Sequence, residues 1–209
     1  MKLNNTDLNN LDRINRIKII NAVSGIKPGN LIGTIDNEGS TNLAIFSSVV
    51  HLGSDPALLG FILRPTGEVP RNTYDNILAN KSYTINHIHP EFTKNAHYTS
   101  AKFDLGVSEF ERCGLTEEFI EECKAPFVKE SQFKMGMKFI EALPIKQNNT
   151  LLVIGEITSI ILPDASFNNK EYINLEEINS VGISGLNSYY SITKIADHPY
   201  ARVNEVPKF

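Results

Sequence analysis

Six consecutive residues, Leu58-Leu59-Gly60-Phe61-Ile62-Leu63, place no polar side chain on either face of the strand they would form. A strand with one wet face alternates apolar with polar residues. This run therefore predicts an interior strand of a closed or well-covered sheet. Its surroundings repeat the β pattern. Leu31-Ile32-Gly33-Thr34-Ile35 is rich in β-branched residues, Asp36-Asn37-Glu38-Gly39 supplies turn chemistry, and residues 42–50 resume as a return strand, so a hairpin is expected. Gly53-Ser54-Asp55-Pro56 predicts a second turn leading into the interior strand. Further on, residues 82–86, 127–128, 137–140 and 151–157 read as strands, with Asn148-Asn149 as a hairpin turn.

Helices enter as additions to this sheet. One is expected to begin near Asn72, a good cap, with Asp75 at the positive end of the dipole and Tyr74, Ile77 and Leu78 on one face. Residues 93–124 alternate short helical patterns with polar turns, including 108–112 and 116–120, and read as excursions from the barrel. Residues 1–14 suggest a loosely held arm with a helical turn, and the segment from Asn179 suggests a surface strap, ending in a C-terminal surface segment over 191–209. The simplest architecture is one domain across 1–209, mainly β with inserted helices.

Charge and cysteine usage narrow the partners. A formal net charge of -4 gives no global positive field to gather nucleic acid or anionic lipid, so an anionic ligand would need a local basic cluster. Cys113 and Cys123 have neither zinc-finger nor CxxC spacing and are expected to be reduced, as in the cytoplasm. The polar start MKLNNTDLNNLDRIN lacks a signal-peptide apolar run, and no stretch reaches membrane-spanning length. The expectation is a cytoplasmic protein with no nucleic-acid or membrane partner.

The most informative stretch for chemistry runs from Arg64 to Thr73. It sets two guanidinium groups, Arg64 and Arg71, and two hydroxyls, Thr66 and Thr73, between an interior strand and a helix start. Unpaired N–H groups, a positive dipole end and bidentate arginines together suit a phosphate dianion, and Gly67 lets the backbone come close. The competing reading makes both arginines surface residues and Thr73 a mere helix starter. Asn42–Val49 is a second candidate. Its end, Phe46-Ser47-Ser48, offers backbone groups and small hydroxyls against which a flat heteroaromatic ring can lie, unless the serines simply face water. His87 and His89 share a strand face with His97 in reach, but no carboxylate accompanies them at a recognisable spacing; no metal is expected, and His87 is better suspected of lining a ligand cleft. Acidic neighbours disfavour a Cys123 thiolate, and neither a G-x-S-x-G elbow nor a G-x-G-x-x-G fingerprint is present.

Taken together, LIGTIDNEGSTNLAIFSS, the Gly-Ser-Asp-Pro turn, GFILRPTGEVPRNTYDNI, YTINHI and the late VIGEI strand resemble the flavin-reductase-like proteins. Arg-Pro-Thr, Pro-Arg-x-Thr and the run Ala96-His97-Tyr98-Thr99-Ser100-Ala101-Lys102 point to the branch associated with flavoprotein oxygenases. The resemblance spans about Asn30 to Tyr190 and implies an FMN-binding split β-barrel with Greek-key-like connectivity. It implies that Phe46, Ser47, Ser48 and Val49 pass along the isoalloxazine and ribityl chain. Arg64, Thr66, Arg71 and Thr73 would receive the phosphate. Asn86 and His87 would sit beside the ring, and Ser100 and Lys102 would reach phosphate or ribityl oxygens. It further implies a homodimer and an FMN-dependent oxidoreductase with NAD(P)H as cosubstrate and no catalytic acid or base. A non-catalytic FMN-binding or electron-carrier protein is the alternative. Many relatives carry a basic residue where this chain has Val181-Gly182-Ile183-Ser184-Gly185, which weakens a role for this segment in recruiting an anionic cosubstrate.

Overall fold

A computed structural model describes residues 1–65, 72–104, 106–167 and 172–208. The first strands are β1 (Lys27–Pro28), β2 (Asn30–Ile35), β3 (Thr41–Phe46), β4 (Val50–Ser54), β5 (Ala57–Leu63) and β6 (Ser82–His87). They are followed by β7 (Glu117–Glu118), β8 (Phe127–Val128), β9 (Lys134–Ile145), β10 (Thr150–Ile161), β11 (Val181–Ser184) and β12 (Ser188–Ser191). Helices are α1 (Asn5–Asn10), α2 (Arg13–Ala22), α3 (Asn72–Asn80), α4 (Thr93–Tyr98) and α5 (Glu109–Cys113).

Seven strands make one antiparallel sheet in the order β3-β2-β6-β9-β10-β5-β4. Its two edge strands, β3 and β4, follow one another in sequence, yet no ladder joins them among the described residues. The sheet is thus a barrel left open along one seam. β5 lies between β10 and β4, the interior position its apolar run predicts. The twelve-residue strands β9 and β10 bend through register shifts at Ile154/Gly155 and Ile157/Ser159. Such bulges increase local twist and let one ribbon serve a curved wall.

Both faces of the sheet are covered, which explains why β2 is buried almost throughout. Ile32, Phe61, Tyr83, Ile85, Met137 and Val153 pack together on one side. Leu31, Leu43, Ile88, Phe110, Val128 and Ile183 pack on the other, beneath the helical excursions. Successive residues Leu31 and Ile32 enter different clusters, as the period of two requires.

Several local expectations change. The predicted return strand over 42–50 breaks after Phe46, because Ser48 leaves the ladder and bonds the backbone of β5 instead. The helix expected over 116–120 is the short strand β7, whose Glu117 and Glu118 pair with Val128 and Phe127. Residues from Asn179 are not merely a strap: β11 and β12 form a hairpin, turned at Gly185 with φ 61°, that pairs with β1. α3 buries Thr73, Asn76 and Ile77, while Leu78 is exposed. The reason is polar: Asn76 donates to Thr34 Oγ1 (3.1 Å) and Asn80 to the Ile35 carbonyl (2.8 Å), so β2 docks this helix by its amides. The N-terminal arm is more helical than expected. α1 carries a reciprocal capping box between Asn4 and Asp7, and Asp12 caps α2.

Candidate functional site

The seam of the barrel opens into a cleft of about 620 Å³, within the range of small-molecule sites. Each wall follows from the fold. Asn42, Ala44 and Phe46 alternate along β3 and so face it together, and the exit residues Ser47 and Ser48 continue the wall. Across the seam lie Ile62 and Leu63 at the end of β5, then Arg64 and the first turn of α3 with Asn72 and Thr73. The excursion after α4 adds Ser100, Lys102 and Phe103, and α5 adds Glu109. Ile20, Asn21 and Ser24 of α2 and its following loop, with Lys27, form a rim.

Hydrogen bonds fix this frame. Ser48 Oγ accepts from the Ile62 N–H at 3.0 Å and donates to its carbonyl at 3.3 Å, so the hydroxyl splints the seam. Thr73 Oγ1 accepts from the Asn42 amide at 3.0 Å. Ser100 donates its hydroxyl proton to the His97 carbonyl at 2.7 Å, keeping only lone pairs for anything else. Glu109 accepts from the Leu43 N–H at 2.9 Å; burial pushes its carboxyl above the ordinary range, against the lowering effect of that bond.

The cleft is locally basic in an acidic chain. Among the described residues, Lys27, Arg64 and Lys102 line it with one carboxylate, Glu109. Lys27 is committed to the Asn21 carbonyl (2.8 Å). Among the described residues no ion pair engages Arg64 or Lys102. Two cations, the first turn of α3 and an apolar and aromatic wall line one cleft, an arrangement with the chemistry to take an amphipathic anion.

Of the residues singled out from sequence, Phe46, Ser47, Ser48, Arg64, Thr73, Ser100 and Lys102 meet at this cleft. Thr66 and Arg71 lie outside the described residues. Val49 packs against the barrel core instead of lining the cleft. Asn86 is fully buried on the far side of β6, donating to Leu31 O and Thr84 Oγ1 and accepting from Val128 N. Its amide is consumed in joining β6 to β2 and β8. His87 likewise does not line the cleft. Its ring packs on Phe133 with centroids 4.3 Å apart, its Nδ1 pairs with Ser180 Oγ at 2.8 Å, and burial lowers its pKa to about 4. His97 Nδ1 meets the Tyr189 hydroxyl at 3.0 Å, and His89 caps the turn before α4. Among the described residues no group of three His, Cys, Asp or Glu side chains is placed to hold a metal. From sequence, Asn42 entered only as the first residue of the 42–49 candidate, and Lys27 and Glu109 were not singled out. Asn42 had a usable signal, since it shares a strand face with Phe46; the other two reach the cleft through tertiary packing.

A family model described as the flavin reductase like domain matches residues 26–176. The chain belongs to the flavin-reductase-like family, and its function is a flavin-related oxidoreductase one. A split-barrel protein from Shewanella frigidimarina NCIMB 400, provisionally assigned as a flavin reductase, is 44% identical, with 96% of this chain and 100% of that chain covered and a TM-score of 0.92. Nitrilotriacetate monooxygenase component B from Bacillus cereus shares the fold at 17% identity, covering 95% and 98% of the two chains with a TM-score of 0.82. An FMN-binding protein from Thermus thermophilus shares it at 14% identity, covering 84% and 91%, with a TM-score of 0.66. These likenesses agree with the mainly β, split-barrel architecture described above. Among the described residues no helix is long and apolar enough to cross a membrane.

Proposed function

We propose that the seam cleft binds FMN and that the chain is an NAD(P)H-dependent oxidoreductase of the flavin-reductase type. The supporting observation is one cleft that brings Arg64 and Lys102, engaged by no ion pair among the described residues, together with the first turn of α3 and a strand-built apolar wall. The donor set fits the group. Arg64, Lys102 and the Thr73 hydroxyl suit a phosphate, and Ala44, Phe46 and the backbone of Ser47 suit a flat ring. Arg71 and Thr66 join Arg64 and Thr73 in sequence and complete the phosphate set in this reading. Bound flavin would supply the two-electron chemistry. The chain's own part is to hold the phosphate end, to exclude water with Phe46, Ile62 and Leu63, and to keep the seam rigid through Ser48. Reduced nicotinamide would enter as a visiting substrate.

The test is the visible spectrum of the purified protein, then anaerobic mixing with NADH or NADPH. Bleaching of bound FMN is expected. A colourless protein that does not take up FMN overturns the cofactor, and colour that persists with both nucleotides favours the electron carrier.

We also propose a homodimer. Not one of the ten residues of α2 is buried, and Ile14, Ile17, Ile20 and Val23 on and after it are exposed beside the cleft rim. An apolar row of this kind marks a contact surface. Light scattering should give twice the chain mass, and Ile17→Glu with Ile20→Glu should return the monomer. Free, buried Cys113 and Cys123 fit a cytoplasmic setting.

A further inference from the structure

Asn42 and Thr73 come from distant parts of the chain, are both almost fully buried, and meet at the cleft wall. A threonine hydroxyl has one proton to give and lone pairs to receive. Left alone at a helix start, it is free to rotate, and it often turns its proton onto a nearby backbone carbonyl. Here the Asn42 amide donates to Thr73 Oγ1 at 3.0 Å, and among the described residues Asn42 is the hydroxyl's sole partner. With one lone pair held by a donor, and no acceptor for its proton among the described residues, Thr73 has that proton to offer to whatever lies in the cleft.

We infer that Asn42 is a positioning residue that orients the Thr73 hydroxyl as an obligate donor, making the cleft select a phosphate-bearing flavin over its dephosphorylated form. The inference rests on the FMN reading above. Asn42 acts through Thr73, not by touching the phosphate. It is itself held in place by β3, whose Leu43 N–H is tied to Glu109 and whose Thr41 hydroxyl is tied to Ser108 (2.8 Å). The phosphate therefore meets a donor whose direction is set before binding, and little ordering remains to be done when it arrives.

Two ligands that differ only in the phosphate isolate the effect: FMN and riboflavin, each titrated by flavin fluorescence into the apoprotein. Wild type should prefer FMN. Asn42→Leu should cut the FMN-to-riboflavin preference about tenfold, the scale of one oriented hydrogen bond to a charged group, with FMN losing more affinity than riboflavin. Thr73→Val should do the same, the double variant should lose no more than either single one, and Thr73→Ser should retain the preference. Asn42→Asp, which keeps the shape but offers Thr73 an acceptor, gives a second reading if the leucine variant does not fold, and it too should lose the preference. That loss must shrink in a Thr73→Val background. An unchanged preference in the Asn42 variants, equal losses for both ligands, or additive losses in the double variant would overturn the positioning role. Equal wild-type affinity for FMN and riboflavin would instead remove the phosphate reading on which it depends.

Discussion

Acidification from pH 7 toward 4.5 should destabilise this protein through one imidazole. The His87 ring is packed on Phe133 and bonded to Ser180, and burial holds its pKa at about 4 against an ordinary 6.5. The folded state resists protonating this ring and the unfolded chain does not. Between pH 6.5 and about 4 the unfolded chain therefore binds more protons, and stability falls as the pH falls. Above pH 7 the ring is neutral in both states and the stability is fully present. The gap corresponds to about 1.4 kcal/mol per pH unit across that window, or about 3 kcal/mol in all. Urea unfolding of the wild type and of His87→Gln at half-unit intervals from pH 7.5 to 4.5 measures it, because the other titrating groups cancel in the difference. The wild-type curve should fall more steeply with acid. Parallel curves, or an NMR titration placing the His87 ring near 6.5, would refute the reasoning.

Other perturbations reach other parts of the structure. Arg64→Ala should weaken FMN binding by about 1.5–3 kcal/mol, the scale of a charge-assisted hydrogen bond; equilibrium dialysis with unchanged affinity removes Arg64 from the site. Ser48→Ala should cost about 1–2 kcal/mol of stability by freeing the Ile62 N–H and carbonyl at the seam. Its preference for FMN over riboflavin should not change, since that hydroxyl is already spent, and a lost preference would show that it is not. Gly155→Ala would put a methyl group 2.1 Å from the Tyr83 hydroxyl oxygen and 3.0 Å from the Lys138 carbonyl oxygen. A loss of about 2–3 kcal/mol is expected in urea unfolding, and an unmoved midpoint would mean that the barrel wall gives way more easily than its packing implies.

The strands were legible because their physics is local. An apolar run such as 58–63 has nowhere to go but an interior position, and turn residues at 36–39 and 53–56 marked the hairpins. What sequence concealed was decided at a distance. The 42–50 run is β-prone throughout, yet a single hydroxyl at Ser48 finds the β5 backbone and splits it. Residues 116–120 have helical spacing, but Glu117 and Glu118 pair with a strand ten residues downstream. The lining of the candidate cleft was half legible for the same reason. Residues next to the seam in sequence, Phe46 to Ser48 and Arg64, lie on it in space. His87 and Asn86 sit on a strand whose partners claim their side chains, which no local pattern reveals.

β3 is an outermost strand, and open strand rims recruit foreign strands. Here the outward Leu43 N–H is already bonded to Glu109, and Thr41 is bonded to both Ser108 and Glu117. The start of α5, with Ser108 before it and Glu117 of β7, thus covers that rim. The pairing groups a foreign strand would need along this rim are partly taken, and a second copy adding edge to edge there would first have to displace the Glu109 carboxylate from Leu43.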